Sequence, residues 1–225
     1  ADLISQGDNF SKKLPDAFLV LGNPDLRTFI EFSKEWHDIR RTKGKKIPIV
    51  LAGGRGRGTL PLIESLYVHL KKNQVLNRPA EDWFKRARTD EAITEADLLR
   101  FFFRTEGIEE GVLKQEEKPS KNTVENFIHS QKTMRDVLTG VKNPVVAIVS
   151  SPILLMRTQA TAQKIWQEEV KSGWRVKRLK AYSINLRELS DEKLIALVGY
   201  IAAYPENYRK LYPNLNGGSE FKGSH

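Results

Sequence analysis

Apolar residues follow two rhythms along this chain. Short unbroken runs occur at DAFLVLG (16–22), IPIVLA (47–52) and PVVAIVS (144–150), and each stops at a glycine, a proline or a small polar residue. Runs of that length, bounded by breakers, read as strands buried on both faces. GVLKQE (111–116) and WRVKRLKA (174–181) are weaker versions of the same signal. Between the runs the spacing becomes helical. Leu26, Phe29, Ile30, Phe32, Trp36 and Ile39 predict a helix from Leu26 to about Arg41, closed by Gly44. A second pattern covers LPLIESLYVHLKKN (60–73). The following QVLNRPAEDWFKRARTD is polar and contains Pro79, so it reads as an excursion from the core. ADLLRFFFR marks the buried side of a helix at about 91–105, ending at Gly107. Another helix is expected from Thr123 to Leu138, burying Val124, Phe127, Ile128, Met134 and Val137. A further helix follows Pro152 to about Lys171, and one or two terminal helices follow near Pro205.

Strands that alternate with helices imply crossover connections and a parallel sheet covered on both faces. The expected fold class is α/β: a three-layer Rossmann-like fold with a mostly parallel five-stranded sheet and extra C-terminal helices. The expected organisation is an N-terminal arm at 1–15 and one domain at 16–212 carrying a helical insert near 60–90. The remainder, 213–225, holds NGGSEFKGSH and reads as a linker with a cloning remnant.

Composition narrows the function classes. The chain has 225 residues, 40% hydrophobic and 29% charged, which suits a single globular domain. No apolar run approaches the roughly 20 residues of a membrane span. Cysteine is absent, which excludes disulfides, a thiolate nucleophile and cysteine-held zinc. A cytoplasmic location is expected, or a periplasmic or envelope-associated one if a leader or anchor has been removed. The net charge is +9, gathered at RRTKGKK (40–46), KRAR (85–88) and KSGWRVKRLK (171–180). This surplus favours an anionic small-molecule partner. Nucleic acid is not the expected partner, because no recognition motif accompanies the charge. His37, His69 and His129 lack metal-ligand spacing, and no serine lies in a G-x-S-x-G elbow. The residues predict no metal site.

Open parallel sheets bind ligands beyond the carboxyl ends of their strands. Here GNP (22–24), GGRGRGT (53–59), PSKNT (119–123) and SSP (150–152) all follow strands and should share one rim. Gly22 and Asn23 end the first run. Gly53, Gly54, Arg55 and Arg57 form a glycine-rich loop that lacks the lysine of a Walker motif and the spacing of a dinucleotide fingerprint. In PSKNTVENF, Asn122 or Thr123 can cap the helix, with Glu125 completing a capping box. Ser120 and Asn126 then remain for a ligand. Ser150 and Ser151 open the helix that carries Arg157, a second candidate anion contact.

Taken in order, VLGNP, LAGGRGRG, EKPSKNTVENF and VSSPILLMR resemble the bacterial YdcF/SanA/ElyC family, a domain of unknown function. Its pattern runs approximately V-L-G-G, then S-G-G, then E-x-x-S-x-N-T-x-E-N, then T-S-x-x-H-x-x-R. The resemblance covers roughly 16–182. Glu117, Ser120, Asn122, Thr123, Glu125 and Asn126 match the third motif, while Leu154 stands at the histidine position of the fourth. The resemblance implies a Rossmann-like domain with a polar, anion-friendly pocket, and envelope-related or nucleotide-like ligands. On this reading Glu117 or Glu125 is the candidate general base. The cofactor stays open, with S-adenosylmethionine or a nucleotide as the options. The alternatives are a non-catalytic S-adenosylmethionine or nucleoside binder, and a nucleic-acid-binding protein.

Overall fold

The computed structural model describes residues 14–116 and 119–179. Within them five strands form one sheet: β1 (Ala17–Leu21), β2 (Ile49–Ala52), β3 (Leu113–Gln115), β4 (Val145–Val149) and β5 (Arg175–Arg178). Their order is β3-β2-β1-β4-β5 and every pairing is parallel, with Val20 beside both Leu51 and Val149. This is the expected α/β, Rossmann-like architecture. The three central strands are buried along their whole length, which is why they read as unbroken apolar runs.

Successive residues of each strand face opposite layers. Phe18, Val20, Ile49 and Leu51 pack with Phe29, Phe32 and Trp36 of α1 (Leu26–Lys43) and with Leu62 and Leu66 of α2 (Thr59–Lys72). The same cluster takes Phe84 of α3 (Arg78–Thr89) and Phe102 and Phe103 of α4 (Glu95–Thr105). Leu19, Leu21, Val50, Val146 and Ile148 pack instead with α5 (Thr123–Val137) and α6 (Pro152–Ile165) through Phe127, Met134 and Ala162. Between α6 and α7 (Gln167–Lys171) the helix breaks at Trp166. The Trp166 indole N–H donates to the Phe127 carbonyl at 2.9 Å, tying the break to α5.

One expectation changes, on α5, while the polar stretch at 73–90 takes form as α3. Asn77 caps it by accepting the Ala80 N–H at 3.0 Å, and Pro79 lies in the first turn, where a missing N–H costs nothing. On α5, Val124 and Ile128 are exposed rather than buried. The inner stripe is Asn126, Phe127, Ser130 and Met134, so polar residues hold positions that an apolar count assigns to the core. The expected terminal helices, most of the N-terminal arm and the tail lie outside the described residues. Among the described residues no helix is long and apolar enough to cross a membrane.

Candidate functional site

The loops that leave β1, β2 and β3 meet at one rim of the sheet. They enclose a cleft of about 140 Å³ lined by Gly22, by the 53–58 loop, by Glu95 of α4 and by residues around the start of α5. Two layers contribute. α4 comes from one face of the sheet and α5 from the other, so the cleft sits across the strand ends.

The glycines that line the cleft also make room for a side chain. A Cβ on Gly22 would lie 2.2 Å from Oε2 of Glu95, and one on Gly58 would lie 3.2 Å from Oε1. Gly53, at φ +154°, has the Glu95 Cβ 3.0 Å from where its own would stand. Three glycines therefore cradle an internal carboxyl group. Gly54 is held tighter still: its Cβ would meet the Ser120 carbonyl oxygen at 1.7 Å. That contact locks the 53–58 loop onto the segment leading into α5.

Glu95 is placed by the helix that carries it. Thr94 and Asp97 form a reciprocal capping box. The next two amides, of Glu95 and Ala96, donate to the carbonyls of Gly54 and Gly53 at 3.0 and 2.9 Å. The first turn of α4 is thus pinned on the glycine loop. Glu95 is 9% exposed and accepts one hydrogen bond from the Thr59 hydroxyl at 3.1 Å. Burial pushes its carboxyl up to about 7; the Thr59 bond opposes this and the nearby Glu116 adds to it. Glu116, at the end of β3, is 8% exposed. It accepts the Gly53 N–H at 2.8 Å and the Ser120 hydroxyl in a short contact. Burial raises its pKa, while those hydrogen bonds and His129 hold the rise back. His129 Nδ1 lies 3.4 Å from the Ser120 hydroxyl. Two buried carboxyl groups that feel each other at this rim both hold their protons more tightly than a free carboxyl does.

The other sequence candidates separate clearly. Gly22, Gly53, Gly54, Arg55 and Arg57 line the cleft from one side. Ser120, Asn122, Thr123 and Asn126 line it from the other. Arg157 reaches the same edge from α6, donating to the Thr123 hydroxyl at 3.4 Å. Arg55 spends its guanidinium elsewhere. It donates to the carbonyls of Ala87, Arg88, Asp90 and Ile93 at 2.9–3.1 Å, clamping the end of α3 to the approach to α4. Asn23 turns inward, donating to Leu21 O at 3.1 Å and accepting from the Asp25 N–H at 2.9 Å, so it shapes a turn. Glu125 completes the α5 cap. Its oxygens accept from the Lys121 N–H at 2.7 Å and the Asn122 amide at 3.0 Å, so both are engaged in the cap. Asn122 in turn accepts the Glu125 N–H at 3.0 Å. Asn126 is 8% exposed, and its side-chain amide has no hydrogen-bond partner among the described residues. Ser150 and Ser151 follow β4 on the same rim without lining the cleft; the Ser150 hydroxyl is buried with no partner among the described residues. Glu117 lies outside the described residues.

Sequence reasoning missed Glu95, Glu116 and Thr59. Glu116 had a usable signal, as the residue that directly follows a strand. Glu95 offered only an acid after a capping threonine, which is ordinary in a first turn. The basic clusters are also partly committed: Arg40 and Lys46 both pair with Glu109, and Arg88 pairs with Glu64. No family model matches this chain, and no curated protein matches it.

Proposed function

We propose that the protein is a YdcF-like enzyme that binds a phosphorylated small molecule at the carboxyl rim of its sheet and acts on the bound phosphoryl group. The reading rests on one observation above the others: a buried carboxyl near pKa 7, Glu95, shares a cleft with the amino-terminal end of α5. A helix start offers unpaired N–H groups and a positive dipole end to an anion. On α5 the Asn122 side chain takes the Glu125 amide, and the amides of Thr123 and Val124 have no acceptor among the described residues. Lys121 and Arg57 add positive charge at the cleft, and Asn126 adds an unused amide. Glu95 at about 7 is half protonated at neutral pH, which limits repulsion of an anion and leaves a proton to donate.

Size supports a small enclosed group. A cleft of about 140 Å³ is below the roughly 300–1,000 Å³ of pockets that enclose drug-sized ligands. It fits a phosphoryl end with the rest of the ligand outside. A second reading, a nucleoside or S-adenosylmethionine binder without turnover, draws on Leu154, a half-buried α6 residue at the family's histidine position.

Thermal shift against inorganic phosphate, sugar phosphates, nucleotides and S-adenosylmethionine separates these readings. The phosphoryl reading expects stabilisation by phosphate and phosphomonoesters, reduced in Asn126→Ala and Arg157→Ala. Stabilisation by S-adenosylmethionine alone would transfer support to the binder, and no stabilisation by any of them would reject both.

A further inference from the structure

We propose that Ser120 is the nucleophile of this site and takes the phosphoryl group from the substrate, with Glu116 receiving its proton. This rests on the phosphoryl reading above and names the covalent step within it. The Ser120 hydroxyl is not needed for the helix, because the cap of α5 is Asn122. It donates instead to Glu116, whose other oxygen is held by the Gly53 N–H at 2.8 Å. The carboxylate is therefore fixed with one oxygen on the hydroxyl. His129 Nδ1, 3.4 Å from the same hydroxyl, borders the pair from α5. Ser120 is 4% exposed, yet it lines the cleft together with Glu95. Gly54 packs directly against its backbone, leaving no room there for a Cβ. A hydroxyl bonded to a fixed base, in a cleft with a second buried carboxyl group and an unpartnered amide, is the constellation covalent catalysis needs.

The step balances with residues of this chain. As the bond from Ser120 Oγ to phosphorus forms, the bond from phosphorus to the leaving oxygen breaks. The serine proton passes to Glu116 and the leaving alcohol takes the proton of Glu95. Water then attacks the phosphoserine and returns a proton to Glu95. Ser120 regains its own from Glu116, and inorganic phosphate departs.

The reverse of the second half reaction gives a test that needs no knowledge of the substrate. The protein is incubated with inorganic phosphate labelled with heavy oxygen, and loss of label to water is followed by mass spectrometry. Phosphate binding is measured in parallel by calorimetry. The wild type is expected to exchange label, and an acid quench is expected to leave phosphoserine at position 120. Exchange should vanish in Ser120→Ala and fall by at least about a hundredfold in Glu116→Gln, which keeps the hydrogen-bond shape but cannot take the proton. Phosphate binding without exchange would overturn the nucleophile and leave the binding reading standing. Absence of binding would overturn both. Exchange persisting in folded Ser120→Ala, or phosphate trapped on another residue, would also overturn the assignment.

Discussion

Replacing Glu95 by glutamine should make the protein more stable at neutral pH. Glu95 sits between Gly22, Gly53 and Gly58 with one hydrogen bond, from Thr59, and its carboxyl is raised from 4.5 to about 7. The folded state therefore binds this proton more tightly than the unfolded chain does. Below about pH 4.5 both states are protonated and there is no penalty. Between about 4.5 and 7 the unfolded chain has released the proton and the folded state has not, so stability falls as pH rises. At about 1.4 kcal/mol per tenfold difference in proton affinity, the full penalty above pH 7 is about 3 kcal/mol. Glutamine keeps the shape of the protonated acid and removes the titration. Urea unfolding from about pH 5 to about pH 8 should give a declining stability for the wild type and a flatter line for Glu95→Gln. The two lines should nearly meet at the acid end and separate by up to about 3 kcal/mol at the alkaline end. Glu116, also raised, adds a slope of the same sign to both proteins. Parallel profiles would refute the reasoning, because they would mean that Glu95 ionises as freely in the fold as outside it.

Three further outcomes follow from the packing. Gly54→Ala drives a methyl into the Ser120 carbonyl, 1.7 Å away, and should cost about 3 kcal/mol in urea unfolding; a wild-type midpoint would mean the loop is not locked there. Arg55→Ala should cost roughly 2 kcal/mol of stability through four abandoned carbonyls while phosphate affinity stays within about twofold; the opposite pattern would restore Arg55 to the anion site. Asn122→Ala should cost about 1 kcal/mol, read in the same unfolding assay, and an unchanged midpoint would mean the α5 cap contributes nothing.

The sheet was legible because burial on both faces leaves an unmistakable trace. β1, β2 and β4 have no polar residue to interrupt them. β3 and β5 are edge strands with lysine and arginine, so their signal was weaker. α3 was legible only coarsely, as a helical insert near 60–90, because its buried stripe is just Ala80, Phe84 and Ala87 in a charged stretch. The meeting of these loops was legible too, since strand-end loops must share a rim in a parallel sheet. The carboxyl groups at that rim were not. Which glycines pack against Glu95 depends on how α4 docks, a tertiary fact with no local imprint. The choice between Glu116 and its neighbour depends on strand register. Glu125 and Arg55 looked functional because caps and clamps use the same polar residues that ligand sites use.

The account turns on whether the mouth between the glycine loop and the start of α5 receives an anion. Titration with inorganic phosphate, followed by nuclear magnetic resonance of the backbone amides and the asparagine side chains, addresses that directly. The account predicts saturable shifts at the Thr123 and Val124 amides and at the Asn126 side chain, with one common affinity. Shifts confined to the basic surface of α1 around Arg40 and Arg41, or none that saturate at α5, would contradict it.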